Sequence, residues 1–167
     1  FTYDSGEFAK NMDEALHMAD ADGFAKRRAE SRKRGKLRGL GMSNTIERAA
    51  APSTEGAEIR FDRGGGITLF SGSNNQGQGH ETAFKQIVCD RLGVDPKDIT
   101  YISGDTDTVF YGEGTGGSRS AAIGGSAVYL AAGKALDKAR KLAAHLLEVG
   151  EDEVDFDEGV FKSRKTN

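Results

Sequence analysis

The 167-residue sequence predicts an α+β domain, a mixed β-sheet with hairpins packed against several helices, one of them long and C-terminal. Three observations predict it. Two stretches, 59–69 and 154–161, alternate apolar and polar residues across a turn. Others place apolar residues three and four apart, the spacing of a helix face. The two kinds of segment alternate along the chain without an internal repeat. The length suffices for one core, so residues 1–167 are read as a single domain.

Asp4 and Glu7 have capping-box spacing, and a helix should follow with Phe8, Met12, Ala15, Leu16 and Ala19 on one face. Residues 20–23 interrupt it. Asp22 can cap a second helix over 23–34, which Gly35 should stop. Residues 37–48 read as a strand and 49–55 as a loop around Pro52. Ile59 and Phe61, a turn at 62–66, then Ile67 and Leu69 form the first hairpin. A glycine-rich loop over 72–79 leads into a helix with Phe84, Ile87, Val88 and Leu92 on its apolar stripe. Gly93 suits the left-handed cap of that helix and Val94 the packing beyond it. Residues 99–102 form a short strand. A second glycine-rich loop over 112–117 leads, past Ser118, into a helical stretch reaching about residue 149, with room for a break. Its first turns are small (Ala121, Ala122, Gly124, Gly125, Ala127), which lets another backbone approach. Its later turns carry Ala135, Ala139, Leu142, Ala143 and Leu146 on one side. Val154, Phe156, Val160 and Phe161 around 157–159 form the second hairpin.

Composition limits the function classes. Hydrophobic residues make up 37% and charged residues 29%, which fits a folded soluble domain, and the net charge of −3 offers no whole-chain attraction to polyanions. No apolar run approaches the ~20 residues that span a bilayer, and residues 1–10 do not read as a signal peptide. A single cysteine, Cys89, leaves no intrachain disulfide and no multi-cysteine metal site, so a cytoplasmic setting is expected. The chain begins at Phe1, as a piece of a longer protein would. The basic run Lys26, Arg27, Arg28, Arg32, Lys33, Arg34 lacks aromatic interleaving and reads as a solvated helix face, not a nucleic-acid site.

The two glycine loops carry the chemistry. Each places glycines just before a helix, where positive φ is available and free N–H groups with the helix dipole suit an anion. Gln76 and Gln78 add amides able to read a heterocycle edge. Ser118 and Ser120 add hydroxyls, and Arg119 a fork suited to phosphate. The alternative is that both loops are only tight turns with helix caps. Neither matches a phosphate loop or a dinucleotide fingerprint. His80 beside Glu81 is an acid–base pair, or else a loop hydrogen bond beside a dipole-serving carboxylate. Asp105 and Asp107 lack a third ligand and read as a solvated loop. Cys89 reads as a structural thiol. No catalytic residue and no metal ligand is assigned.

Gln76-Gly77-Gln78-Gly79-His80-Glu81-Thr82 resembles the glutamine-glycine signature of molybdenum hydroxylase large subunits, the xanthine dehydrogenase and aldehyde oxidase family. Gly114-Thr115-Gly116-Gly117-Ser118-Arg119-Ser120 resembles a second cofactor segment in its carbon monoxide dehydrogenase-type branch. Gly104-Asp105-Thr106-Asp107 falls between them as in the family, and Tyr3-Asp4-Ser5-Gly6 and Asp22-Gly23-Phe24 match in order and spacing. The resemblance covers essentially the whole chain and implies a fragment of a larger subunit. It implies a molybdopterin dinucleotide with molybdenum, in the cytosine form, held through Gln76, Gly77, Gln78, Gly79, His80 and Thr82 on one loop. Thr115, Gly116, Gly117, Ser118, Arg119 and Ser120 would hold it from the other. Many members carry an aromatic residue where Gly116 stands, so that contact is missing or replaced. It also implies partners: the remainder of the large subunit, iron–sulfur and flavin subunits or domains, and a small-molecule substrate. The family's catalytic glutamate would lie beyond Asn167 and its substrate loop before Phe1, so the fragment alone is expected to be inactive. The rival reading is a non-catalytic nucleotide- or anion-binding module using the same loops.

Overall fold

A computed structural model describes residues 3, 5–47, 49 and 53–165. They divide into two compact units, Phe1–Glu47 and Arg48–Asn167.

The first unit holds helices α1 (Phe8–Met18) and α2 (Phe24–Lys33). Asp4 lies outside the described residues. Glu7 stands at the N-cap of α1 without capping it and pairs with Lys10 at 2.9 Å. Met12 and Leu16 are half-buried, and residues 40–44 line a shallow groove with this face. Asp22 does not cap α2. Asp20 does comparable work, accepting the Gly23 N–H at 3.1 Å and pairing with Arg27, because the turn at 20–23 brings that earlier carboxylate back to the helix start. Residues 37–47 form no strand, contrary to the sequence expectation. A strand needs a hydrogen-bonded neighbour, and the described residues of this unit offer none. Leu37, Leu40, Met42 and Ile46 stay exposed.

The second unit is built on a three-stranded sheet, β1 (Ala57–Phe61), β2 (Ile67–Ser71) and β3 (Ile99–Ser103), in that order. β1 and β2 form the expected hairpin, with Ala57 opposite Ser71 and Phe61 opposite Ile67. Asp62 closes its turn by accepting the N–H groups of Gly64 (2.7 Å) and Gly66 (3.0 Å). β2 and β3 run parallel, joined through helix α3 (His80–Leu92), so β2–α3–β3 is a crossover unit. The sheet is mixed, as the sequence indicated. Helix α4 (Gly125–Leu147) packs beside α3 and against β1, and a π-helical turn, Ser120–Gly124, supplies the break at its start. Ile67, Leu69, Phe84, Val88, Leu92, Ile99, Val128 and Ala132 form the core. Each large member contributes about 1.5–3 kcal/mol by leaving water.

Beyond the sheet, β4 (Val154–Asp157) and β5 (Val160–Ser163) form the second hairpin and pack Val154 against Ala143 and Ala144 of α4. The tip of this hairpin, with Glu158 at φ 44° and Gly159 at φ 83°, meets the left-handed cap of α3 at Gly93. A Cβ on Gly93 would lie 2.1 Å from the Gly159 nitrogen, so only glycine fits there.

Candidate functional site

The sheet order decides where the glycine loops go. Ser71 ends β2 and Ser103 ends β3, and the two are register partners in parallel strands. Both loops therefore leave the same end of the sheet. β1 is antiparallel, with Ala57 opposite Ser71, so the segment 53–56 enters at that end too. Three segments far apart in sequence meet beyond the carboxyl ends of neighbouring parallel strands, the place where open α/β sheets bind ligands.

The loops touch directly. Gly72 and Gly112 cross so closely that a Cβ on either would stand 2.4–2.5 Å from the other's Cα. Beyond the crossing, the Asn74 carboxamide accepts the Thr115 N–H at 3.0 Å, and the Asn74 carbonyl accepts the Thr115 hydroxyl at 2.7 Å. Ser120 donates to that same hydroxyl at 3.1 Å. The Gln78 side chain folds back into its own loop, its amide oxygen accepting the Gln76 N–H at 2.5 Å.

The tips face outward. Gln76, Gly77, Gln78, Gly79 and Thr82 are exposed on one side, and Gly116, Gly117 and Ser118 on the other. Gly77, Gly79, Gly116 and Gly117 have no heavy atom within 4 Å of where a Cβ would sit. Gly79 caps α3 at φ 83° and offers no side-chain oxygen to the helix's first N–H groups. His80 follows, buried and stacked on Phe84 with ring centroids 5.2 Å apart. Its Nδ1 is buried without a hydrogen-bond partner. Glu81 pairs with Lys85 at 2.8 Å and is not bonded to His80.

Arg119 lies otherwise than a phosphate fork would. It is 8% exposed and its guanidinium points inward. It donates to the Ser53 hydroxyl at 3.1 Å, to Glu55 at 2.8 Å, and to the carbonyls of Gly114 and Thr54. Glu113 lies 3.4 Å from it on the outer side. The Tyr111 and Thr54 hydroxyls donate to Glu113 and, with Arg119, hold its carboxyl below the usual carboxylate range. Glu55, in a stretch with no sequence signal, has a fully buried side chain. It accepts from Arg119, Ser73 (3.0 Å) and the N–H groups of Gly56 (3.0 Å) and Glu113 (3.2 Å).

Elsewhere, Asp105 accepts the Asp107 N–H at 2.9 Å in a surface turn. Among the described residues no three His, Cys, Asp or Glu stand together as a metal-holding group. Cys89 packs beside the core, and burial pushes its thiol pKa up, with Asp90 and Asp95 adding to the shift. No helix among the described residues is long and apolar enough to cross a membrane.

Residues 14–167 match the family model described as a molybdopterin cofactor-binding domain. The chain belongs to this molybdopterin cofactor-binding domain family. It is 38% identical over 180 residues to the carbon monoxide dehydrogenase large chain of Afipia carboxidovorans, covering 96% of this chain and 22% of that one. It is 35% identical to the nicotine 6-hydroxylase large subunit of Paenarthrobacter nicotinovorans, over 94% of this chain and 21% of that subunit. A solved structure of Cu,Mo-CO dehydrogenase in its carbon monoxide reduced state superposes with a TM-score of 0.67 at 38% identity, over 97% of this chain and 22% of its own. The chain thus spans about a fifth of the length of these relatives.

The exposed tips suit the group that this family binds. The open glycines leave room for a ligand to lie on the backbone. The start of α3 presents amide donors to an anion, and the orphaned His80 Nδ1 awaits a polar partner.

Proposed function

We propose that the two loops form one wall of the pocket for a molybdopterin dinucleotide, in its cytosine form, within the large subunit of a molybdenum-dependent hydroxylase or dehydrogenase. The observation that carries this reading is the pairing of two outward glycine tips at the carboxyl ends of adjacent parallel strands. Backbone N–H groups of Gly79 and His80 would face phosphate or pterin from one side, with the open backbone of Gly77, the Gln76 and Gln78 amides and the Thr82 hydroxyl beside them. Thr115, Gly116, Gly117, Ser118 and Ser120 would line the other side. Arg119 would serve from behind, by shaping the second loop. When bound, the molybdenum group supplies oxidation of a small-molecule substrate with oxygen derived from water.

The remainder of the large subunit would complete the pocket, and iron–sulfur and flavin subunits would carry the electrons away. The names of the relatives span carbon monoxide and nicotine, and the substrate of this protein is of that small-molecule kind. The setting is the cytoplasm.

The test uses the full-length subunit with its partners. Gln76 and Gln78 are exposed, and surface changes of this kind usually stay within ~0.5 kcal/mol of wild-type stability. Gln76→Ala and Gln78→Ala should therefore fold normally and lose molybdenum and pterin several-fold per folded protein. Wild-type occupancy in both variants would show that the loops are turns only.

A further inference from the structure

We infer that Glu55 is the positioning residue of this site: its buried carboxylate, paired with Arg119, holds the two glycine loops at their working separation. The inference rests on the cofactor reading for its purpose, though its geometry stands alone.

Glu55 has a fully buried side chain and four bonds, to three separate segments. One oxygen accepts the N–H groups of Gly56 and Glu113, at 3.0 and 3.2 Å. The other accepts the Ser73 hydroxyl at 3.0 Å and Arg119 at 2.8 Å. Ser73 belongs to the first loop, Glu113 to the second, and Gly56 leads into β1. Ser73, Glu113 and Arg119 lie 18, 58 and 64 residues along the chain from Glu55. One carboxylate therefore links every segment that reaches this end of the sheet.

Arg119 completes the frame. Its guanidinium binds carbonyl oxygens of the second loop (Gly114) and of the 53–56 segment (Thr54), as well as the Ser53 hydroxyl. The Glu55 carboxylate has no solvated alternative, so removing Arg119 leaves its charge buried, whereas Arg119 keeps the more exposed Glu113 at 3.4 Å when Glu55 is removed. The frame sits near the roots of the loops, beside the Gly72–Gly112 crossing and before the Asn74–Thr115 bonds, while the glycines of the tips have open space around them. Loss of the carboxylate should thus free the loops relative to each other before it unravels the core, which lies among other residues.

The experiment is amide hydrogen exchange on the full-length protein in its cofactor-free form, with molybdenum content of the loaded form measured in parallel. Glu55→Gln keeps the size and removes the charge. Exchange should rise at least ~tenfold in residues 72–79 and 112–119 together, while Val88 and Ile102 keep wild-type rates. Arg119→Gln added to Glu55→Gln should raise exchange by less than the product of the single effects, because the two act as one unit. Molybdenum content should fall in the order in which loop exchange rises. A uniform rise across the protein would make Glu55 a stability residue and overturn the inference, as would a change confined to 53–56. If Glu55→Gln does not fold, Ser73→Ala removes only the first-loop bond and should raise exchange several-fold in 72–79; no change there would be equally decisive against it. Coupled loops in a wild-type protein that takes up no molybdenum would refute the cofactor reading and leave this one standing.

Discussion

Replacing Gly93 with alanine tests how the second hairpin is seated. Gly93 adopts φ 63°, and an alanine held there costs about 1–2 kcal/mol in backbone strain. The new methyl would also lie 2.1 Å from the Gly159 nitrogen and 2.3 Å from the Glu158 carbonyl carbon. Both are backbone atoms, so no side chain can swing aside. The β4–β5 hairpin must shift, at a cost of about 1–3 kcal/mol by analogy with overpacked cores. The total is therefore about 2–5 kcal/mol. Gly65→Ala is the control. Gly65 has φ 90° and open space around it, so only the strain applies. Urea unfolding should place the Gly93→Ala midpoint below that of Gly65→Ala by on the order of 1 M, given slopes of about 1–3 kcal/mol per molar for domains of this size. Equal midpoints would mean that the hairpin tip does not rest on the helix cap, and the reasoning would fail.

Three further outcomes are expected. Glu113 has a depressed pKa in the folded protein, so its stabilising contribution is complete above the ordinary unfolded value of about 4.3 and is lost as pH falls through the lower folded value. Glu113→Gln should flatten this part of the acid limb in urea midpoints measured from pH 6 to pH 3. The raised pKa of Cys89 should make the native thiol react with iodoacetamide at pH 8 about tenfold or more slowly than in urea, read by mass spectrometry. The isolated 167-residue chain should purify without molybdenum or pterin, because one wall of a pocket does not offset the ~4–15 kcal/mol lost on immobilising a ligand; metal analysis of the purified chain decides this.

The elements that could be read from sequence are those whose cause is local. Phe84, Val88 and Leu92 repeat at helix spacing and do bury against the core, and the Gly93 cap follows from its neighbours alone. Both hairpins announced themselves by alternation around a turn. The strand expected over 37–48 did not form across its described residues, because a local stretch of sequence does not state whether a pairing partner lies beside it. The loops were visible as glycine patterns, but their meeting point was not. Their contact depends on β2 and β3 being parallel neighbours, which no local pattern states. Glu55 was missed for the same reason: all but one of its bonds reach at least 18 residues away. Arg119 was noticed but its direction was unreadable, since a guanidinium beside a loop can face either way.

The inward guanidinium of Arg119 also sets what kind of recognition these tips can offer. With that cation engaged behind the loops, neither 72–79 nor 112–118 carries a lysine or arginine. Apart from the Glu113 carboxylate, itself paired with Arg119, whatever rests on them meets neutral amides and hydroxyls whose pull fades within a few ångströms, so this wall adds little attractive long-range field for dissolved salt to screen. The share of loading that these tips contribute should then be almost indifferent to ionic strength, because shape and hydrogen-bond pattern, and not charge alone, decide what stays on them.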